Sequence, residues 1–244
     1  MINIIRIILC IIVNLISVIA SFTPLNRLDI VYKYLATLVI NTLGYKKPKV
    51  IDLRKYKYDS NIIVYQHNSF CDGHIIYSVF GKVNLVFTSK YGDMPVLKQF
   101  AKGLEFILVN PKEKGNSEKI NNFIENNPKN IVAIAPAPIN NTGYDKIGKF
   151  ATGSFVTMKP VIPVLIRYKN IKPTWFLNEE DNNNHKSIGQ WFLERFSDKP
   201  VDVEVTIMEE ISSEGCKNVE EYKNKVENAM KEYNIKYPVF SRSK

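Results

Sequence analysis

Ile62-Ile63-Val64-Tyr65-Gln66-His67-Asn68-Ser69-Phe70-Cys71-Asp72-Gly73-His74 passes from a branched apolar run, through a polar loop, into a helix-compatible stretch. The apolar run Ile62–Tyr65 is continuous rather than alternating, which is the mark of a strand buried on both faces. Four more short runs repeat it: Val83–Phe87, Phe106–Val109, Ile131–Ala135 and Val161–Ile166. Helix-compatible spacers lie between them, long enough for the crossovers that parallel or mixed sheets need. The expected architecture is therefore α/β, a layered mixed sheet flanked by helices. Val201–Ile207 instead alternates apolar with polar residues and reads as a half-exposed strand near the sheet edge. Val219–Tyr233 reads as a charged amphipathic helix on the outside. There is no internal repeat and no linker long enough to separate a pair of domains.

Composition agrees with one substantial core: the chain has 244 residues, of which 45% are hydrophobic. The three cysteines, Cys10, Cys71 and Cys216, are too scattered for a disulfide framework or a paired zinc motif. With 33 Lys and Arg against 24 Asp and Glu, the formal charge is +9, which favours phosphate-bearing partners. Charge alone does not choose among nucleic acid, anionic lipid and phosphorylated co-substrates.

The amino terminus narrows that choice. Ile7–Phe22 carries no charge, yet at ~1.5 Å per residue it falls short of a ~30 Å hydrocarbon core unless Ile2–Ile5 join it, with Arg6 snorkelling to the interface. Thr23-Pro24 stops the helix, and a second apolar stretch, Leu28–Leu43, follows with Asp29 and Lys33 near its start. Two such helices in succession, residues 1–45, read as a hairpin or monotopic anchor. A signal peptide cleaved after Val18-Ile19-Ala20 and a pair of buried core helices are the alternatives. Next comes a basic segment, 46–59, in which Lys46, Lys47, Lys49, Arg54, Lys55 and Lys57 crowd around Asp52. Beside a membrane it would face anionic head groups; otherwise it is a solvated loop. The apolar amino terminus and the lack of interleaved aromatic and basic residues argue against nucleic acid.

The opening stretch holds two of the three histidines, a thiol and a carboxylate. His67 leaves the strand and Asp72 starts the helix, at the carboxyl edge of a sheet, where α/β proteins place ligands. Ser69-x-x-Asp72 is also a capping-box pattern, so Asp72 has a purely structural role open to it. The spacing offers a second role. A carboxylate one helical turn beyond a loop histidine can hold one ring N–H and stabilise the imidazolium, which makes a general-base dyad. A zinc site of His67, Cys71 and His74 lacks a distant fourth ligand. A Cys71 nucleophile requires a thiol that does not simply pack as a small apolar residue.

His67-Asn68-Ser69-Phe70-Cys71-Asp72 resembles the His-x4-Asp motif of the glycerophospholipid and lysophospholipid acyltransferase superfamily. Lys90–Pro95 followed by Gly103–Asn110 looks like that family's second block. Phe150–Phe155, then Lys159–Tyr168 and Trp175, is similar to its fourth block and the continuation in the lysophosphatidylcholine acyltransferase-like branch. The resemblance covers residues 60–235, leaving 236–244 as a tail. It implies a membrane-bound enzyme moving an acyl chain from acyl-CoA to the free hydroxyl of a lysophospholipid, with His67 as base and Asp72 orienting it. Acyl-CoA is then a co-substrate, and no metal or redox cofactor is required. Oxyanion donors are expected among the backbone amides of Ser69–Cys71.

By the same resemblance Lys90, Asn110, Pro136, Ala137 and Pro138 fall at substrate-binding positions. Two of these blocks depart from the pattern. Related members carry Phe-Pro-Glu-Gly-Thr where this chain has Ala135-Pro136-Ala137-Pro138-Ile139, and the arginine that commonly ends the second block is missing near Asn110. Acceptor recognition is therefore expected to differ, with Asn140, Asn141, Thr142 and Lys146 as nearby polar replacements. A homologue that binds lipid without turnover and a His-Asp ester or thioester hydrolase remain as other readings.

Overall fold

The computed structural model describes residues 4–23, 29–55, 60–89, 95–110, 112–137, 147–169, 193, 195–196 and 200–238. Seven strands form one sheet: β1 (Lys49–Asp52), β2 (Ile62–Tyr65), β3 (Asn84–Thr88), β4 (Ile107–Val109), β5 (Val132–Ile134), β6 (Ile162–Lys169) and β7 (Asp202–Ile207), in the order β1-β7-β6-β2-β5-β3-β4. Every neighbouring pair is parallel except β6 with β7. The carboxyl ends of β2, β3, β4, β5 and β6 thus gather at one edge. The five continuous apolar runs of the sequence are strands, and the α/β expectation holds.

All four residues of β2 are buried, and they alternate between two cores. Ile63 and Tyr65 face one cluster, which helices α2 (Asp29–Thr42) and α3 (Asp72–Phe80) complete through Val39, Ile40, Ile75 and Ile76. Ile62 and Val64 face the other, where α5 (Asn116–Asn126) and α6 (Val219–Lys236) contribute Ile120, Ile124, Tyr222, Val226 and Met230. This two-sided burial is why the run shows no polar alternation. α3 stops at Gly81, whose φ of 85° is open to glycine at little cost and whose N–H closes on Tyr77 O at 2.9 Å. α6 starts at Asn218, whose side chain accepts the Glu221 amide, with Glu220 and Glu221 in its first turn and Lys236 in its last.

β7 is one strand in from the edge. The edge itself is β1, which lies inside the basic segment 46–59 and pairs Lys49 with Glu204. That segment is therefore partly sheet, and among its described residues three cations are paired, Lys46 to Asp202 at 2.8 Å, Lys49 to Glu204 at 3.9 Å and Arg54 to Asp52 at 2.6 Å.

The two amino-terminal helices have different surroundings. In α2, Tyr32, Leu35, Ala36, Val39 and Ile40 are buried, so this helix is a layer of the α/β fold. α1 (Ile4–Ser21), an 18-residue apolar helix of mean hydropathy 2.6, packs on it with one face only, burying Cys10 and Val13 in the same core. Ile8, Leu9, Ile12, Leu15, Ile16 and Ile19 are exposed on it. It is fastened at both ends. The Arg6 guanidinium donates from Nε to Thr42 O at 2.9 Å and from Nη2 to Arg195 O at 3.0 Å. Gly44, at φ 83°, makes room for it: a Cβ there would collide with Nη2. At the other end buried Ser21 presses on Gly103 of α4 (Pro95–Gly103), leaving no space for a Cβ. Arg6 thus points into protein carbonyls, not toward an interface as a snorkelling residue would.

Candidate active site

The polar loop between β2 and α3 is folded around the Asp72 carboxylate, which is fully buried. Its Oδ2 accepts the backbone amides of Asn68 at 2.6 Å and Ser69 at 2.8 Å, and lies 2.8 Å from His67 Nδ1. Its Oδ1 accepts the hydroxyl of Tyr168 in a short hydrogen bond. The capping box does not form, since α3 starts at Cys71 without a side-chain cap and the Asp72 amide goes to Ser69 O; instead the carboxylate that ties down the loop amides also holds the imidazole.

The loop has further fastenings. Asn68 Nδ2 donates to Ile166 O at 2.8 Å, which binds it to β6. Ser69 Oγ accepts the Cys71 amide at 3.2 Å and lies 3.3 Å from Tyr45 Oη. The His67 ring stands edge-on to Tyr65, with centroids 6.2 Å apart.

An ionised carboxylate only accepts, so Nδ1 carries the ring proton and Nε2 keeps its lone pair. Nε2 makes no hydrogen bond among the described residues, and the side chain is 26% exposed. This is the tautomer a general base requires, with Nε2 open to accept a proton and a carboxylate placed to stabilise an imidazolium.

The alternatives at this loop fare differently. Burial, and then the Asp72 charge, pushes the Cys71 thiol far above its usual range, so it is a protonated, inert core residue. Burial pulls His74 down to about 4, leaving it neutral at pH 7. His67, Cys71 and His74 form no metal-ligating cluster, and among the described residues there is none of three or more His, Cys, Asp or Glu. The expected oxyanion donors need correction. The Ser69 amide is engaged by Asp72 and the Cys71 amide by Ser69 Oγ, because the loop uses them to build itself.

Of the other sequence-derived positions, Pro136 and Ala137 follow β5 at the edge where His67 follows β2, as the pairing of Val64 with Ile134 requires. Pro136 is buried and its carbonyl accepts the Ala151 amide at 2.8 Å. Asn110 ends β4, at the far edge of the sheet, with β5 and β3 between β4 and β2. Its side chain builds a turn, donating to Glu113 Oε1 at 2.7 Å and accepting the Lys112 amide at 3.1 Å. Lys90 and Pro138 lie outside the described residues, as do Asn140, Asn141, Thr142, Lys146 and Trp175. Arg167 is fully buried and serves the scaffold, donating to Glu204 Oε1 and to Tyr237 O, each at 2.5 Å. Tyr168, its neighbour on β6, points to the opposite face and reaches the dyad. Sequence reasoning quoted this residue without giving it a role.

No protein-family model matches the chain, and no curated protein does. Among solved structures, the fold is similar to the crystal structure of the 1-acyl-sn-glycerophosphate (LPA) acyltransferase, PlsC, from Thermotoga maritima. The TM-score is 0.56 at 16% identity, over 97% of this chain and 98% of that one. At that identity the likeness is one of fold.

Proposed function

We propose that the protein is a membrane-associated acyltransferase that moves an acyl chain from acyl-CoA to the free hydroxyl of a lysophospholipid. The observation that carries this reading is the His67–Asp72 pair, held at the carboxyl edge of the sheet with Nε2 unengaged. In the proposed reaction the lipid hydroxyl oxygen bonds to the thioester carbonyl carbon as its proton passes to His67 Nε2. The tetrahedral intermediate then expels the thiolate, which takes the proton from the imidazolium. The full-length likeness in fold to an enzyme named for acylating a lysolipid supports the same class.

The acceptor is assigned by what the chain offers. Among the described residues that follow β5, Pro136 and Ala137 bring no charged group to the edge beside His67, so these two offer a small polar acceptor little to hold it. A lysolipid is held by its own acyl chain in the bilayer, through burial of apolar surface. The exposed apolar face of α1 is the surface proposed to meet that bilayer, with the basic stretch around Lys47 and Lys55 near anionic head groups.

The test is an assay of detergent- or nanodisc-held protein with labelled acyl-CoA, and in parallel an acyl-loaded carrier protein, against a panel of lysolipids and glycerol 3-phosphate. A new diacyl lipid is expected from lysolipids and little product from glycerol 3-phosphate. Free fatty acid alone would assign a hydrolase, and no product with any donor or acceptor would assign a lipid-binding homologue without turnover.

A further inference from the structure

Every hydrogen-bonding position of the Asp72 carboxylate directed at the loop is on Oδ2; Oδ1 is turned to β6 and accepts the Tyr168 hydroxyl. Tyr168 is 1% exposed, and its ring stands edge-on to Tyr45 with centroids 5.6 Å apart. Its backbone is equally constrained, because β6 pairs directly with β2, setting Val164 opposite Tyr65 two residues before His67. Resting on the reading above, we propose that Tyr168 is a positioning residue of the acyl transfer, fixing the carboxylate so that Oδ2 stays aimed at His67 Nδ1.

A carboxylate can tilt about its Cβ–Cγ bond. With Oδ1 tied to a hydroxyl on a central strand and Oδ2 to the loop amides, its plane is fixed from both sides, and the imidazole keeps one orientation. Burial, and then the Asp72 charge, holds the Tyr168 hydroxyl well above the usual tyrosine range, so it remains a donor throughout the working range. The dyad is thus braced from three elements: the loop amides, α3 and β6. Tyr168 reaches the substrate only through Asp72 and His67, so its removal is expected to act on the rate and not on binding.

Tyr168→Phe removes the hydroxyl and keeps the ring. In the acyl-transfer assay kcat is expected to fall about tenfold or more, the size of one lost hydrogen bond to a charged group, with KM for both substrates unchanged. In an Asp72→Asn background the same substitution is expected to have little further effect, because its path to His67 is already altered. A readout independent of turnover is the imidazole Nδ1–H proton resonance of His67, assigned by its absence in His67→Gln. It is expected to be slowly exchanging in the wild type and to broaden or vanish in Tyr168→Phe. Wild-type kcat with an intact resonance, or full additivity with Asp72→Asn, would overturn the proposal. A wild-type protein with no transferase activity, but whose His67 resonance still depends on Tyr168, would remove the reaction and leave the bracing in place.

Discussion

Asp72 Oδ2 accepts the Ser69 amide at the same 2.8 Å that separates it from His67 Nδ1, so a single oxygen ties down the loop and holds the imidazole. Asp72→Asn is therefore expected to harm both functions together. Loss of the charge-assisted bonds from Asn68, Ser69 and Tyr168 should cost about 1–3 kcal/mol of stability, read by urea or thermal unfolding. Acyl transfer should fall in the same variant. A variant destabilised to this degree but turning over normally would leave Asp72 as a fastening of the loop alone.

His67→Ala should separate the two. The imidazole makes no bond that shapes the loop beyond Asp72, so the far-ultraviolet spectrum and unfolding midpoint should change little. Turnover should drop by ~10²–10⁴, the usual contribution of a general base. Activity within a few-fold of wild type would exclude His67 from that role.

Membrane attachment is expected to rest on α1, since most apolar residues of α2 are in the core, Ile30 and Tyr34 being the exposed ones. Ile8→Lys, Leu15→Lys and Ile19→Lys together replace exposed positions only. They should move the protein to the soluble fraction after carbonate wash without lowering its unfolding midpoint. Unchanged retention would mean another surface holds the membrane.

Arg167 is fully buried against Glu204, with its planar group also over Tyr233 at 5.6 Å from the ring centroid. Arg167→Ala removes the buried partner of Glu204, leaving it Lys49 at 3.9 Å, and is expected to cost ~3 kcal/mol, as removing one partner of a buried pair usually does. A urea unfolding curve measures it directly. A shift below ~1 kcal/mol would show that the pair is solvated in practice.

His74 adds a pH dependence. Its folded value, about 4, lies below the unfolded one of ~6.5, so the unfolded chain binds the extra proton first. The favourable contribution is complete above ~6.5 and is lost as pH falls toward 4. His74→Gln should flatten the stability profile in that window, by on the order of 2 kcal/mol at its acid end. An unaltered slope would place the acid sensitivity elsewhere.

The central strands and the His67–Asp72 pair were legible because their signals are local. Two-sided burial leaves continuous apolar runs, and a loop-to-helix spacing can be counted. β1 was missed because an edge strand of residues Lys49–Asp52, mostly exposed, carries no such run. Tyr168 was not assigned a role because its bond to Asp72 joins positions 96 residues apart, and a tyrosine within an apolar strand looks like core. The oxyanion expectation does not hold for Ser69 and Cys71 for a subtler reason: amides at a helix start look available until the carboxylate and hydroxyl of the same loop are found to be using them. For Arg6, the carbonyls at Thr42 and Arg195 are partners that no local pattern announces.

The pairing of Lys49 with Glu204 also sets an order of assembly. A ribosome delivers α1, α2 and β1 first, yet the partner strand of β1 and the Arg195 carbonyl that latches Arg6 belong to the last quarter of the chain. A nascent chain stopped before Arg195 has an unpaired β1 edge and an Arg6 that has Thr42 O but not yet the Arg195 carbonyl to bond. Contacts this distant in sequence form late. The Arg6–Arg195 contact can therefore form only long after α1 itself has been made, and its formation seats the amino-terminal helix along the surface of the finished domain.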